Sequence, residues 1–352
     1  MDEFLDRIKD CNKIALLVPN FASYSGDARV VELQAKDLRS LGKDVDIITF
    51  HQEIDSDLSV IEIGMPKYLF WQRIYRLIFP IDFIKINNVL KDLKDYDLII
   101  SHLYPMNWLA DLAKKHHGTK YIYWYHGIPT PSLQPYLYER IYLKLFIWAT
   151  KITIQNADLV VSVSKSARDE VKGYTGLDSI VIYNKTDLLR FNKQVDGTKI
   201  RERYNLGDAP VILNVGRVCP PKGADLLIRA FNLLKKRVPE AKLIIIGKPT
   251  YPYYMEELKK MADSSVIFAG FVSDEELPYY YAACDVYATG SLWEANNVPV
   301  LEAQASGKPI VAFDFNFFAE ELGDNDILVD RGNVEKFAEA CILKLRELGR
   351  VA

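Results

Sequence analysis

No run of about 18 uncharged apolar residues occurs in this sequence, so no membrane-spanning helix is expected. Cysteine is scarce. Cys11, Cys219, Cys284 and Cys341 lie far apart without metal-ligand spacing, which excludes a disulfide framework or a zinc site and fits a reducing compartment. There is no basic excess: a formal net charge of −3 argues against a general nucleic-acid binder, and no nucleic-acid partner is expected. The glycine fingerprint G-x-G-x-x-G and the loop G-x-x-x-x-G-K-[ST] are both missing, so dehydrogenase and P-loop readings lack their key element. The opening MDEFLDRIKDCNK is charged and lacks a signal-peptide shape.

What is present is a globular composition in 352 residues, with 49% hydrophobic and 26% charged residues, enough for two domains with separate cores. Strand-like and helix-like runs alternate throughout, the mark of parallel α/β folding. The first series of strands is expected at Lys13–Val18, Val45–Phe50, Asp97–His102, Tyr121–Tyr125, Leu159–Ser164 and Ile180–Tyr183, with helices at Asp27–Leu41 and Met106–His117. A second series is expected at Val211–Val215, Lys242–Ile246, Val266–Phe268, Asp285–Ala288, Pro309–Phe313 and Ile327–Val329. The polar stretch Asp187–Asn205 reads as a linker, giving domains of 1–190 and 191–352.

The richest segment is LWEANNVPVLEAQASGKPIVAFD, Leu292 to Asp314. Asn297 is suited to cap a helix that begins at Val298, Pro299 is tolerated in its first turn, and Ser306-Gly307 ends it. Glu294 then lies in the loop before the helix and Glu302 about one turn inside it. Between them, backbone N–H groups around Asn297 and Val298 and the positive end of the helix form a seat for a phosphate. The flanking carboxylates suit hydroxyl-rich groups on either side of that phosphate. Positive charge comes from VILNVGRVCPPKG, Val211 to Gly223, where a strand ends at Gly216 and Arg217 and Lys222 bracket a short loop. The planar fork of Arg217 and the compact charge of Lys222 suit a diphosphate clamped from two sides.

The pattern G-R-x-x-x-x-K-G, followed by two glutamates eight residues apart and ASGKPIVA, resembles glycosyltransferase family 4. Lys13–Pro19 with Gly26, Trp124-Tyr125-His126-Gly127 and Ile182–Asp187 are similar to further family segments. The resemblance covers most of the chain. It implies α/β GT-B architecture, two Rossmann-like parallel domains facing a cleft, with the acceptor on the first and the nucleotide sugar on the second. It implies a retaining, metal-independent transfer from a UDP-, GDP- or ADP-sugar to a hydroxyl acceptor, a saccharide, glycan or lipid-linked saccharide. Arg217, Lys222, Glu294 and His126 would then be catalytic. Glu302 would hold the ribose, and Gly26, Gly216, Asn297, Val298 and Val272 would also contact the donor, Val272 through backbone groups near the base. No cofactor is implied, because the nucleotide sugar is the substrate. Such enzymes often continue into a further helix after the equivalent of Val334–Leu348. A related synthase or phosphorylase, or a non-catalytic nucleotide-sugar-binding subunit, is the alternative.

Asp44-Val45-Asp46 and Asp95-Tyr96-Asp97 have the D-x-D form of a metal site, but each precedes an apolar strand run and reads as a polar strand entry. Two stretches, Pro66–Ile86 and Pro135–Ile154, mix aromatics with Lys67, Arg73, Arg76 and Lys85, and with Arg140, Lys144 and Lys151. That mixture suits either a helix with a cationic outer stripe or a surface that meets anionic headgroups. The expected location is cytoplasmic, either in solution or on the inner face of a membrane.

Overall fold

A computed structural model describes residues 2–22, 26–54, 56–128, 130–314 and 317–351, without the side chains of Leu69 and Phe70. The chain divides into two compact units, Met1–Ser132 with Tyr136–Asn184, and Leu133–Pro135 with Lys185–Ala352.

The first unit holds a parallel sheet of β1 (Lys13–Phe21), β2 (Asp44–Gln52), β3 (Ser59–Glu62), β4 (Leu98–His102), β5 (Lys120–Tyr125), β6 (Leu159–Ser162) and β7 (Ile180–Val181). Their order in space is β3-β2-β1-β4-β5-β6-β7. The helices are α1 (Asp2–Ile8), α2 (Gly26–Ser40), α3 (Leu69–Ile78), α4 (Phe83–Leu93), α5 (Met106–His117), α6 (Leu137–Thr153) and α7 (Lys165–Thr175). Strands β1 and β4 are buried on both faces, as in a parallel sheet whose two sides are covered by helices. Strand β3 escaped the sequence reading: it is a short edge strand, SVIE, whose side chains are mostly exposed.

The second unit holds β8 (Val211–Val215), β9 (Lys242–Ile246), β10 (Val266–Gly270), β11 (Val286–Thr289), β12 (Ile310–Phe313) and β13 (Ile327–Val329), ordered β10-β9-β8-β11-β12-β13 and all parallel. Its helices are α8 (Thr198–Arg203), α9 (Ala224–Lys235), α10 (Pro252–Met261), α11 (Leu277–Ala283), α12 (Val298–Ala305), α13 (Phe318–Glu321) and α14 (Val334–Glu347). The stretch Asp187–Asn205 is not a linker. Phe191 and Ile200, isolated apolar residues in a polar segment, are buried in the second core, and α8 packs on α11. The units meet in sequence at Asn184 and Lys185 instead.

In each sheet the chain reverses its direction of travel at one place, between β1 and β4 and between β8 and β11. Open parallel sheets bind ligands beyond the carboxyl ends of the strands at that place. The D-x-D aspartates lie elsewhere: Asp46 accepts from the Tyr96 hydroxyl at 2.7 Å, and Asp97 accepts the backbone N–H groups of Asn12 and Lys13 at 2.8 and 2.9 Å. No group of three metal-ligating side chains is found among the described residues.

Candidate functional site

In the second unit the chemistry-bearing residues sit on two loops beyond β8 and β11. Strand β8 is followed by Gly216, whose φ of +154° is rarely adopted by residues with a side chain. A Cβ there would meet nothing within 4 Å, so the backbone is open to an approaching group. The loop continues through Pro220–Lys222 to Gly223 (φ +60°), where an added Cβ would stand 1.9 Å from the carbonyl oxygen of Gly290. That backbone approach, with the Leu292 N–H bonded to the Pro221 carbonyl at 2.8 Å, locks the two loops together.

The result is a polar cluster around one carboxylate. Glu294 Oε1 accepts from Lys222 Nζ at 2.5 Å, from Ser291 Oγ at 2.7 Å and from Asn297 Nδ2 at 3.0 Å. The Glu294 side chain is 5% exposed and that of Lys222 22%. All three donors take the same oxygen; Oε2 carries no hydrogen bond among the described residues. Asn297 occupies the N-cap position of α12, yet its side chain makes no capping bond. The expected cap is therefore corrected: capping needs Asn297 Oδ1 to accept a backbone N–H, and the Nδ2 donation to Glu294 Oε1 orients the amide toward that carboxylate instead. Pro299 does fall in the first turn, and Val298, the first helical residue, is buried.

Glu302, one turn into α12, is 1% exposed and accepts from the Tyr281 hydroxyl at 2.7 Å. It is no ordinary solvent-facing helix residue, since a buried carboxylate is costly unless hydrogen-bonded. Arg217, by contrast, is exposed and makes no hydrogen bond or ion pair among the described residues. Val272 follows β10 and buries its side chain in the core, while Phe271 beside it is exposed under the Lys248 ammonium, 4.6 Å from the ring centre. Lys222 and Glu294 thus come together beyond the ends of adjacent strands, with Arg217, Glu302, Asn297, Val298 and Gly216 on the same pair of loops and the helix that follows.

The first unit has its own cluster. Gly26 opens α2 and is exposed; the Ser25 that precedes it lies outside the described residues. His126 follows β5, with its side chain 6% exposed. Its Nε2 lies 2.8 Å from Nδ1 of His102, the last residue of β4, and its Nδ1 lies 4.0 Å from Asp27 Oδ1 on α2. Burial holds the pKa of His102 well below the ordinary histidine value, with His126 adding to the effect. Burial also lowers that of His126, opposed in part by Asp27. Both rings are therefore neutral at pH 7, and one proton lies between them. A proton on His126 Nδ1 faces the Asp27 carboxylate favourably, which makes His102 Nδ1 the donor to His126 Nε2. His126 Nδ1 is then the ring nitrogen left for a ligand.

His102, Tyr281 and Ser291 were not singled out from the sequence. His102 had the same signal as His126, a polar residue closing an apolar strand run. Tyr281 and Ser291 carried none, because their partners are fixed by tertiary contact.

Two family models match the chain, Glycosyltransferase Family 4 over residues 24–190 and Glycosyl transferases group 1 over residues 196–347. A GDP-mannose-dependent alpha-(1-6)-phosphatidylinositol monomannoside mannosyltransferase of Mycolicibacterium smegmatis is 36% identical over 45% of this chain and 44% of its own length. Mannosylfructose-phosphate synthase of Agrobacterium fabrum is 31% identical over 61% of this chain and 48% of its own. The chain thus spans less than half the length of these two relatives. Among solved structures, Anabaena HepE in complex with UDP and glucose superposes with a TM-score of 0.80 at 21% identity, over 97% of this chain and 91% of its own. That likeness establishes the GT-B fold.

Proposed function

This chain belongs to the family 4 glycosyltransferases, with both family models together running through nearly all of it, and from that premise we propose that it transfers a sugar from a nucleotide-diphosphate sugar to a hydroxyl acceptor. The observation that carries the reading is the Lys222–Glu294 pair beyond β8 and β11, with the uncommitted cation Arg217 on the same loop.

Two cations and two carboxylates in this order match the charge pattern of the donor. Arg217 and Lys222 meet the diphosphate. An ammonium has three N–H donors, so Lys222 can keep Glu294 and still reach a phosphate oxygen. As the bond to the sugar breaks, negative charge grows on that diphosphate, and fixed cations stabilise it most where it grows. We assign this charge compensation to Arg217 and Lys222, with no catalytic metal. Glu294, through Oε2, accepts a sugar hydroxyl, and Glu302 accepts from the ribose. Gly216, Asn297 and Val298 present backbone to the phosphates, and the backbone at Val272 meets the base. Gly26 and His126 belong to the acceptor-side domain, where His126 Nδ1 donates to a sugar hydroxyl. Retention of anomeric configuration is part of the proposal.

GDP-mannose is the first donor to test, on the strength of the mannosyltransferase relative, and UDP-glucose the second, because UDP and glucose are bound in HepE. A lipid-linked saccharide or a glycan is the proposed acceptor. The likeness to mannosylfructose-phosphate synthase supports a sugar phosphate as the second candidate. Four buried, unbridged cysteines support a reducing location on the cytoplasmic side of a membrane. The test is nucleoside diphosphate release from each donor, with and without acceptors, and the anomeric configuration of the product. Acceptor-dependent release from one donor supports the proposal; no release from any donor with any acceptor contradicts it.

A further inference from the structure

Helix α6 of the first unit is apolar on two sides. Its inward side is filled in the usual way, with Ala149 and Thr153 buried and Leu143, Phe146 and Ile147 packed against the core. Yet Leu137, Ile141, Leu145, Trp148 and Ile152 are exposed by 71, 51, 46, 60 and 41%. They recur every three or four residues and so form one stripe along the solvent side, where a surface helix normally carries polar residues. Arg140, Lys144 and Lys151 are also exposed and, at about 100° per residue, form a neighbouring stripe. The one acid of the helix, Glu139, is buried and paired with Arg73 of α3 at 2.9 Å.

That ion pair ties α6 to a second segment of the same character. Tyr68, Trp71 and Ile78 at α3, then Ile81, Phe83 and Ile84 at the start of α4, are all exposed. More than half of the exposed large apolar side chains among the described residues come from these two segments. Residues 63–85 contain Lys67, Arg73, Arg76 and Lys85 with Asp82 alone, and residues 127–157 contain Arg140, Lys144 and Lys151 with Glu139 alone. The net positive charge stands out in a chain whose total is −3.

An apolar stripe flanked by cations, with tryptophan and tyrosine among its members, has the chemistry of a helix lying in the headgroup layer of a membrane. A second copy of this chain is a poor occupant, because a two-fold contact would bring the same cations face to face. We propose that the face formed by α6 and residues 68–84 docks on an anionic lipid bilayer. Leu137, Ile141, Leu145, Trp148 and Ile152 enter the boundary between headgroups and acyl chains, and Arg140, Lys144 and Lys151 meet lipid phosphates. No helix among the described residues is long and apolar enough to cross a membrane, so the contact is peripheral. The docking rests on the composition of this face and stands apart from the sugar-transfer reading.

The test is flotation of the full chain with vesicles of phosphatidylcholine alone and with vesicles rich in phosphatidylglycerol, at low and high salt. Binding is expected to the anionic vesicles, with a blue shift of tryptophan emission, and to weaken as salt rises. Lys144→Glu with Lys151→Glu should weaken it by roughly a hundredfold, and Leu145→Ser with Trp148→Ser should abolish the emission shift. All four positions are exposed, so the variants should unfold at the wild-type temperature and bind donor nucleotide as the wild type does. Three outcomes overturn the docking: no binding to either vesicle, equal binding to both that ignores the charge reversal, or a dimer in sedimentation that Trp148→Ser dissolves. Donor turnover, measured in parallel, reports separately on the transferase reading.

Discussion

Lys222 and Glu294, 72 residues apart in sequence, share a 2.5 Å ion pair beyond the ends of two neighbouring strands. The carboxylate is almost wholly buried, so the pair is structural as well as chemical. Removing one partner of a buried pair leaves a charge without compensation, at a typical cost of about 3 kcal/mol. Glu294→Ala should therefore lower the stability of the second unit by an amount of that order, and Lys222→Ala by less, because Ser291 and Asn297 still donate to Glu294. Denaturant unfolding of each variant checks the order.

Arg217 offers the complementary case. It is exposed and has no partner among the described residues, so Arg217→Ala should change stability by no more than about 0.5 kcal/mol. A hydrogen bond to a charged group is worth about 1.5–3 kcal/mol, so diphosphate affinity should fall by roughly ten- to a hundredfold. Calorimetric titration with the donor nucleotide, beside the unfolding curve, separates the two effects.

At Glu302 the expected signature is a loss of stability from a distant hydroxyl. Tyr281→Phe removes a 2.7 Å donor from a carboxylate that is 1% exposed, at a cost of about 1–3 kcal/mol. Unchanged stability in Tyr281→Phe would show that the bond has no energetic weight.

The paired histidines predict a tautomer. In nitrogen-15 NMR spectra His126 should show a proton on Nδ1 and none on Nε2, and His102→Phe should release that preference. Both histidines should also protonate below the usual range near 6.5. A histidine with a lowered folded-state pKa supports stability above its unfolded value, and that support is lost as pH falls through the folded value.

Two carboxyls shift the other way. Burial raises Glu170 on α7 and Glu321 on α13 from 4.5 to about 7. Each holds a proton in the folded chain where the unfolded chain has lost it. Their contribution is complete below about pH 4.5 and is lost as pH rises through about 7, up to roughly 3 kcal/mol for each group. Glu170→Gln with Glu321→Gln should flatten the fall in unfolding temperature between pH 5 and 8 by an amount of that order. A profile identical to wild type would contradict the buried, protonated state.

Much of the fold was legible because parallel strands covered on both sides read as unbroken apolar runs: β8, β9 and β13 fall at the expected residues. Strand β3 was hidden by its edge position and polar composition. Asp187–Asn205 was misread because Phe191 and Ile200 are single anchors with no period to reveal them. At the candidate site, the loop position of Glu294 and the helical position of Glu302 followed from Pro299 in the first turn of α12 and Ser306-Gly307 at its end, although the expected Asn297 capping bond is not made. The Lys222–Glu294 contact did not, because it depends on β8 pairing with β11 and on Gly223 meeting Gly290. Local pattern sets the elements, whereas side-chain partners are fixed by which strands become neighbours.

The most direct measurement is thermal stability against UDP, GDP, ADP and their sugars, with Arg217→Ala as the control that leaves the fold intact. A ligand at about a hundred times its dissociation constant should stabilise by roughly 2.7 kcal/mol. The expected result is a selective rise with one nucleotide series, GDP first, cut by about half or more in Arg217→Ala. No rise with any nucleotide, or a rise of equal size in Arg217→Ala, would contradict a diphosphate held by the loop after β8.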